Sequence, residues 1–190
     1  MISAILLAAG QSKRMEGENK LTKKIHGLSL IEHSVKNILS SSIDQLIIVL
    51  GHQNKTIKGL IKKNDRIRFA LNDNYESGMA SSIKIGIDNL PEKTKAFFIC
   101  LGDMPMINKK IYNHLIKLRK NNDILVPTYK NKQANPVLFS KFMKTSIMSV
   151  TGDFGAKKII ADHEKKVFKL SIQDKGVITD FNNIIDFKTK

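Results

Sequence analysis

The sequence predicts an α/β protein built on a mostly parallel, mixed sheet, and three observations lead there. Short Ile-, Val- and Leu-rich runs alternate with segments of helical periodicity through the first two thirds of the chain. Regular alternation implies crossover connections between parallel neighbours. After Pro127 the alternation becomes irregular while strand-like runs continue, which makes the sheet mixed.

In chain order, "SAILLA" is the first strand and "SLIEHSVKNILSS" the first helix. Ser29 can cap that helix, Glu32 stands three positions later, and Ile31, Val35, Ile38 and Leu39 share one face. "QLIIVLG" is a strand, "KTIKGLIKK" a helix, "IRFAL" a strand and "MASSIKIGIDNL" a helix. They are followed by strand "KAFFICLG", helix "NKKIYNHLIKLRK" and strand "DILVP". Beyond Pro127, "NPVLF", "KVFKLSI" and "GVITDF" read as strands and "TGDFGAKKIIADH" as a helix. No Pro/Ser-rich linker, low-complexity stretch or fixed repeat divides the 190 residues, so one domain over 1–190 is expected.

The formal charge is +15, with lysines scattered through every segment. That balance suits anionic partners, but nucleic-acid binders concentrate their cations on one element with aromatics between them. Aromatics are 6% here and Trp is absent, so nucleic acid is not the expected partner. The lone Cys100 excludes an intramolecular disulfide and reads as a small core residue. The N-terminal apolar stretch precedes Lys13 and Arg14 instead of following a basic segment, the reverse of a signal peptide, and no run approaches the roughly 18 apolar residues of a membrane span. A cytoplasmic protein with no membrane partner is expected.

Ligands of a parallel sheet sit outside the carboxyl ends of its strands, so the residues just after strands carry the interest. The first such place is "AILLAAGQSKRM": Ala8, Ala9 and Gly10 let the main chain approach a ligand, and Ser12, Lys13, Arg14 and Lys20 add donors and charge. It matches neither the dinucleotide fingerprint nor the P-loop, and a tight strand-to-loop connection would look the same. The second is "ICLGDMPMIN", where a buried strand delivers Asp103 to the ligand edge, as a magnesium carboxylate or as a turn cap. The third is "NYESGMASSIKIGI", with Gly78 before a helix whose first turn holds Ser81 and Ser82 as ligand donors or as caps.

Asn135 before Pro136 is held extended, and Thr151 to Asp153 read as a helix start. Asp180 and Asn182, two apart, would share a face of a continuing strand. The five histidines show no metal-binding spacing and "GxSxG" is missing, which leaves metal-assisted group transfer as the eligible chemistry.

The ordered set "LAAGQSKRM", Lys20, "GMASSI", "LGDMP", "NPVLF", "GDFGA" and "TDFNN" resembles the MobA-like NTP transferase family, most of all its molybdenum cofactor cytidylyltransferase branch. The resemblance implies a Rossmann-like, three-layer α/β/α nucleotide-diphospho-sugar transferase fold. It implies transfer of CMP from CTP to the molybdenum-molybdopterin cofactor, with Mg²⁺ and release of pyrophosphate. By position, Leu7, Ala8, Ala9, Gly10, Ser12, Gly78 and Ser82 would bind the nucleotide, and Arg14, Lys20 and Asp103 would be catalytic. Asp103 and Asn182, with Asp180 close by, would hold the metal; Asn135 and Asp153 would face the acceptor. "LAAG" where the guanylyl branch carries an extra glycine implies cytidine. A molybdoenzyme or its chaperone is the implied protein partner. Two other readings fit the same chain: transfer to a sugar phosphate or other small phosphate, and a non-catalytic basic module binding RNA or a cofactor.

Overall fold

The computed structural model describes residues 1–12, 18–149 and 155–181. The long strands are β1 (Ile2–Ala8), β4 (Gln45–Leu50), β5 (Ile67–Leu71), β6 (Ala96–Leu101), β7 (Ile124–Tyr129), β9 (Val137–Ser140) and β10 (Val167–Ser171). Two-residue strands β2 (Lys24–Ile25) and β3 (Leu28–Ser29) form a hairpin, and β8 (Lys132–Gln133) pairs with β7. Helices α1 (Leu30–Leu39), α2 (Asn54–Gly59), α3 (Met79–Asp88), α4 (Lys109–Leu118), α5 (Lys144–Met148) and α6 (Gly155–Asp162) connect them.

The main sheet runs β10-β7-β9-β6-β1-β4-β5. β1 is parallel to both β4 and β6, β4 to β5, and β10 to β7, whereas β9 is antiparallel to β6 and β7. This is the mixed, mostly parallel sheet that the sequence predicts. From β1 the chain steps outward through β4 to β5, then returns to place β6 on the other side of β1. Strand order therefore reverses between β1 and β6, and a crevice opens beyond their carboxyl ends.

Alternation along each strand feeds two cores. Ala4, Leu6 and Ala8 of β1, with Leu46 and Ile48 of β4 and Phe98 and Cys100 of β6, pack on Ile31, Val35 and Ile38 of α1 and on Ile111 and Leu115 of α4. Ile5, Ile47, Val49, Phe97 and Ile99 face the opposite way, onto Ile83 and Ile87 of α3, Ile147 of α5 and Ile159 of α6. Helices on both faces make three layers. Ser29 closes the capping box with Glu32, and these hydrogen bonds hold the Glu32 carboxyl below its ordinary pKa. Cys100 is a core residue as expected: burial pushes its thiol up to about 12, against a smaller opposing hydrogen bond with Tyr112.

One expectation is corrected. "GVITDF" does not form a strand: Lys175–Ile178 is a 3-10 turn. Asp174 caps it by accepting the Gly176 N–H at 2.8 Å, and Gly176 packs so closely that a Cβ there would lie 2.6 Å from the Met106 carbonyl. The pairing of Asp180 with Asn182 on one strand face therefore loses its basis. Asn182 itself, like Arg14 and Asp153, lies outside the described residues. Among the described residues no helix is long and apolar enough to cross a membrane.

Candidate active site

The crevice between the ends of β1 and β6 is a cleft of about 240 Å³. Its β1 side is Leu7, Ala8, Ala9, Gly10 and Ser12; Lys20 and Asp103 lie across from one another; Gly78 and Ser82 come from the start of α3. All nine described residues expected at the nucleotide thus line one cavity.

Glycine and capping residues shape the floor. The Gly102 N–H donates to the Leu7 carbonyl at 3.1 Å, joining the ends of the two strands. A Cβ on Gly102 would lie 3.1 Å from both that carbonyl oxygen and the Leu21 side chain, so the missing side chain lets the Lys20–Thr22 turn settle there. Asn19 caps this turn through the Leu21 N–H, and Ser12 Oγ accepts the Lys20 N–H at 3.1 Å. Ser12, read from sequence as a ligand donor, spends its acceptor on holding Lys20. Lys20 Nζ then meets Asp103 Oδ2 at 2.5 Å, both side chains mostly buried.

Gly51, at the end of β4, shapes the opposite wall. A Cβ there would lie 2.8 Å from the Cβ atoms of Ala9 and Tyr75 and 2.9 Å from the Ala9 carbonyl oxygen. His52 N–H donates to that carbonyl at 3.2 Å, and the His52 ring stands 6.0 Å from the Tyr75 ring. Gly51→Ala is expected to cost about 1–3 kcal/mol of stability by overpacking and to weaken nucleotide binding by displacing Ala9 and Tyr75. Denaturant unfolding and calorimetric titration with a nucleoside triphosphate check the two effects separately. At the mouth, Gln11 Nε2 donates to Glu76 Oε1 at 2.8 Å and links the two walls.

Gly78 opens α3 with φ of 106°, a conformation that side-chain-bearing residues avoid. The Gly78 carbonyl accepts the Ser81 N–H at 3.2 Å, and Gly78, Met79 and Ser82 bring this start of the helix to the cleft. Ser82 is buried, with its Oγ accepting from Asn72 Nδ2 at 2.9 Å.

Asn135 lies two residues before Val137, which pairs with Ile99, and so at the edge of the sheet to which β6 carries Asp103. Its N–H donates to the Val177 carbonyl at 2.9 Å, and it does not line the cleft. Asp180 is exposed, next to Phe181, whose N–H donates to the Asp103 carbonyl at 3.1 Å. Tyr75, Leu21 and Met79 line the cleft without having been singled out from sequence. Tyr75 was findable as the first aromatic after β5; Leu21 had no signal, because only the folded Lys20–Thr22 turn points it at Gly102.

A small-residue cleft at the switch point of a mostly parallel sheet, flanked by helices on both faces, defines the Rossmann-like α/β class. The family model of the MobA-like NTP transferase domain matches residues 4–167, and the chain belongs to that family of nucleotidyltransferases. The Bifunctional protein GlmU of Staphylococcus saprophyticus is 26% identical over 144 residues, 75% of this chain and 31% of that protein, so the chain spans about a third of that relative. A probable molybdenum cofactor guanylyltransferase of Methanosarcina acetivorans is 24% identical over 160 residues, 82% of this chain and 70% of the relative. Among solved structures, Rv0371c of Mycobacterium tuberculosis shares the fold with a TM-score of 0.88 at 20% identity, covering 99% of this chain and 96% of that one. Its manganese complex gives a TM-score of 0.83 at 18% identity, with the same coverage.

Proposed function

We propose that the protein is a magnesium-dependent cytidylyltransferase that moves CMP from CTP to the terminal phosphate of a molybdenum-molybdopterin cofactor and releases pyrophosphate. The observation that carries this reading is the meeting of Lys20 and Asp103 on the floor of a cleft walled by Ala8, Ala9 and Gly10. The small residues admit a nucleoside, and Lys20, with Arg14, binds the triphosphate. Asp103, with Asn182, holds the metal, while Asn135 and Asp153 face the acceptor.

Asp103 suits magnesium. It presents a hard carboxylate at the end of β6 on the cleft, with its Oδ2 meeting Lys20. Magnesium is commonly held in that way, by one or two carboxylates together with substrate phosphates and water. When bound, the ion supplies neutralising charge to the phosphate oxygens.

In the reaction, a phosphate oxygen of the acceptor forms a bond to the α-phosphorus of CTP as the bond to the bridging oxygen breaks, and pyrophosphate leaves with that electron pair. Lys20 stabilises the charge that gathers on the leaving group, and the rigid strand ends hold the reactants in line. An acceptor that is already an anion needs no general base. The guanylyltransferase relative supports the molybdenum cofactor as acceptor, and Ala9 supports cytosine over guanine.

The test is pyrophosphate release with CTP, GTP, ATP and UTP, each with Mg²⁺ and either the molybdenum cofactor or a panel of sugar and alcohol phosphates. Turnover is expected with CTP and the molybdenum cofactor together. Turnover with GTP in place of CTP overturns the base assignment, and turnover only with another phosphate overturns the acceptor.

A further inference from the structure

The chain around Asp103 is held by its carbonyls. Ser34 Oγ donates to the Gly102 carbonyl at 3.1 Å, and Asn37 Nδ2 donates to the Pro105 carbonyl at 2.8 Å. Between them, the Phe181 N–H donates to the Asp103 carbonyl at 3.1 Å and the Ile107 N–H to the Met104 carbonyl at 3.4 Å. The carbonyl oxygens of residues 102–105 are thus all engaged, and none of their donors belongs to a residue that lines the cleft.

Two of these bonds come from side chains of α1, three positions apart and so on one side of the helix. That spacing matches the three residues from Gly102 to Pro105, which leaves Asp103 standing between two points of attachment. Ser34 is 3% exposed, on the side of α1 that Val35 and Ile38 bury in the core. A serine inside a helix commonly returns its proton to its own helix, whereas this one spends it on the loop. A carbonyl can only accept, so the Asn37 carboxamide is fixed with its nitrogen toward Pro105.

We infer that Ser34 and Asn37 are positioning residues, which hold the chain on either side of Asp103 so that its carboxylate stands where it binds magnesium. The inference rests on the reading of Asp103 as the metal carboxylate. Strand β6 ends at Leu101, and the Gly102 N–H is tied to Leu7; past that point α1 supplies the side-chain anchors of the loop. Magnesium accepts little departure from octahedral geometry. Removing a partner that orients a metal ligand commonly lowers metal affinity by about 10–100-fold.

The experiment measures CTP affinity by calorimetric titration with and without Mg²⁺, in the wild type, Ser34→Ala, Asn37→Ala, Asp103→Asn and Ile38→Val. If the turnover panel selects another triphosphate, that triphosphate replaces CTP. The ratio of the two affinities reads what the metal contributes, because a general loss of structure lowers both alike. Ser34→Ala and Asn37→Ala should each lower the ratio by about tenfold. Neither should lower it further once Asp103→Asn is present, since residues that act through one group are not additive with its loss. Ile38→Val loosens the same helix without removing a bond to the loop, and should leave the ratio unchanged. Asn37 is only half-buried, so its alanine variant carries the test if Ser34→Ala does not fold.

An unchanged ratio in the folded alanine variants, beside a lowered one in Asp103→Asn, overturns the inference and leaves Asp103 its role. An equal fall in Ile38→Val also overturns it, because the effect is then one of general packing. A ratio that Asp103→Asn itself leaves unchanged removes the metal role of Asp103, and the inference falls with it.

Discussion

Asp103→Ala is expected to lower magnesium-dependent pyrophosphate release by about 10²–10³-fold or more, the scale of losing a major electrostatic contact to a reacting phosphate. The fold should survive, because what Asp103 gives the surrounding chain is mainly its backbone carbonyl, which holds the Phe181 N–H and is retained in alanine. The side chain pairs with Lys20, whose backbone stays fixed by Ser12 Oγ and the Asn19 cap. Paired measurements of turnover and thermal unfolding on Asp103→Ala and Asp103→Asn separate the two effects. Undiminished activity in both variants would remove Asp103 from the chemistry.

The largest stability effect is expected from Gly86→Ala. Within α3 an added Cβ would stand 2.3 Å from Ile5 Cγ2 and 3.2 Å from Ile5 Cδ1, far inside contact distance. Ile5 is buried and branched at Cβ, so it has little rotamer freedom with which to withdraw. Alanine in a helix regains about 1 kcal/mol of propensity, but overpacking at this separation should outweigh it for a net loss of about 1–3 kcal/mol. For a chain of this size the midpoint falls by about 2–4 °C per kcal/mol. Coupling with Ile5→Ala, which deletes the offending methyl, should recover part of the loss in a double-mutant cycle. Because α3 carries Gly78 and Ser82, nucleotide affinity should fall along with stability.

The inner strands β1, β4, β6 and β7 are legible because each is a nearly unbroken apolar run, the signature of strands buried on both faces. Ser29 and Glu32 announce α1 by capping chemistry, together with the shared face of Ile31, Val35, Ile38 and Leu39. What escaped was short or dependent on tertiary contact. The β2 and β3 strands hold two residues each, too few to show a period. "GVITDF" alternates like a strand, yet the Asp174 cap and the fit of Gly176 against Met106 bend it into a turn. At the site, the strand-end rule found Ala8 to Gly10 and Asp103 because rigid strands deliver them, the cations following the first strand included Lys20, and the family resemblance gave Lys20 its expected role. Asn72, whose Nδ2 donates to both Ser81 Oγ and Ser82 Oγ, lies hidden within "LNDNY", a stretch whose composition says only turn.

The Lys20–Asp103 pair also bears on how a ligand arrives. Across the described lining of the cleft, these are the one cation and the one carboxylate, so the floor is close to electrically neutral although the chain as a whole carries +15. Attraction of a triphosphate over long range is then the work of the scattered surface lysines, whose summed field speeds encounter and is screened by salt. On the proposed reading, recognition begins at contact, where phosphate oxygens compete with Asp103 for the Lys20 ammonium. Capture and discrimination are thereby divided between the outer surface and the floor, and an anion that cannot displace the carboxylate is drawn to the molecule without being held in its cleft.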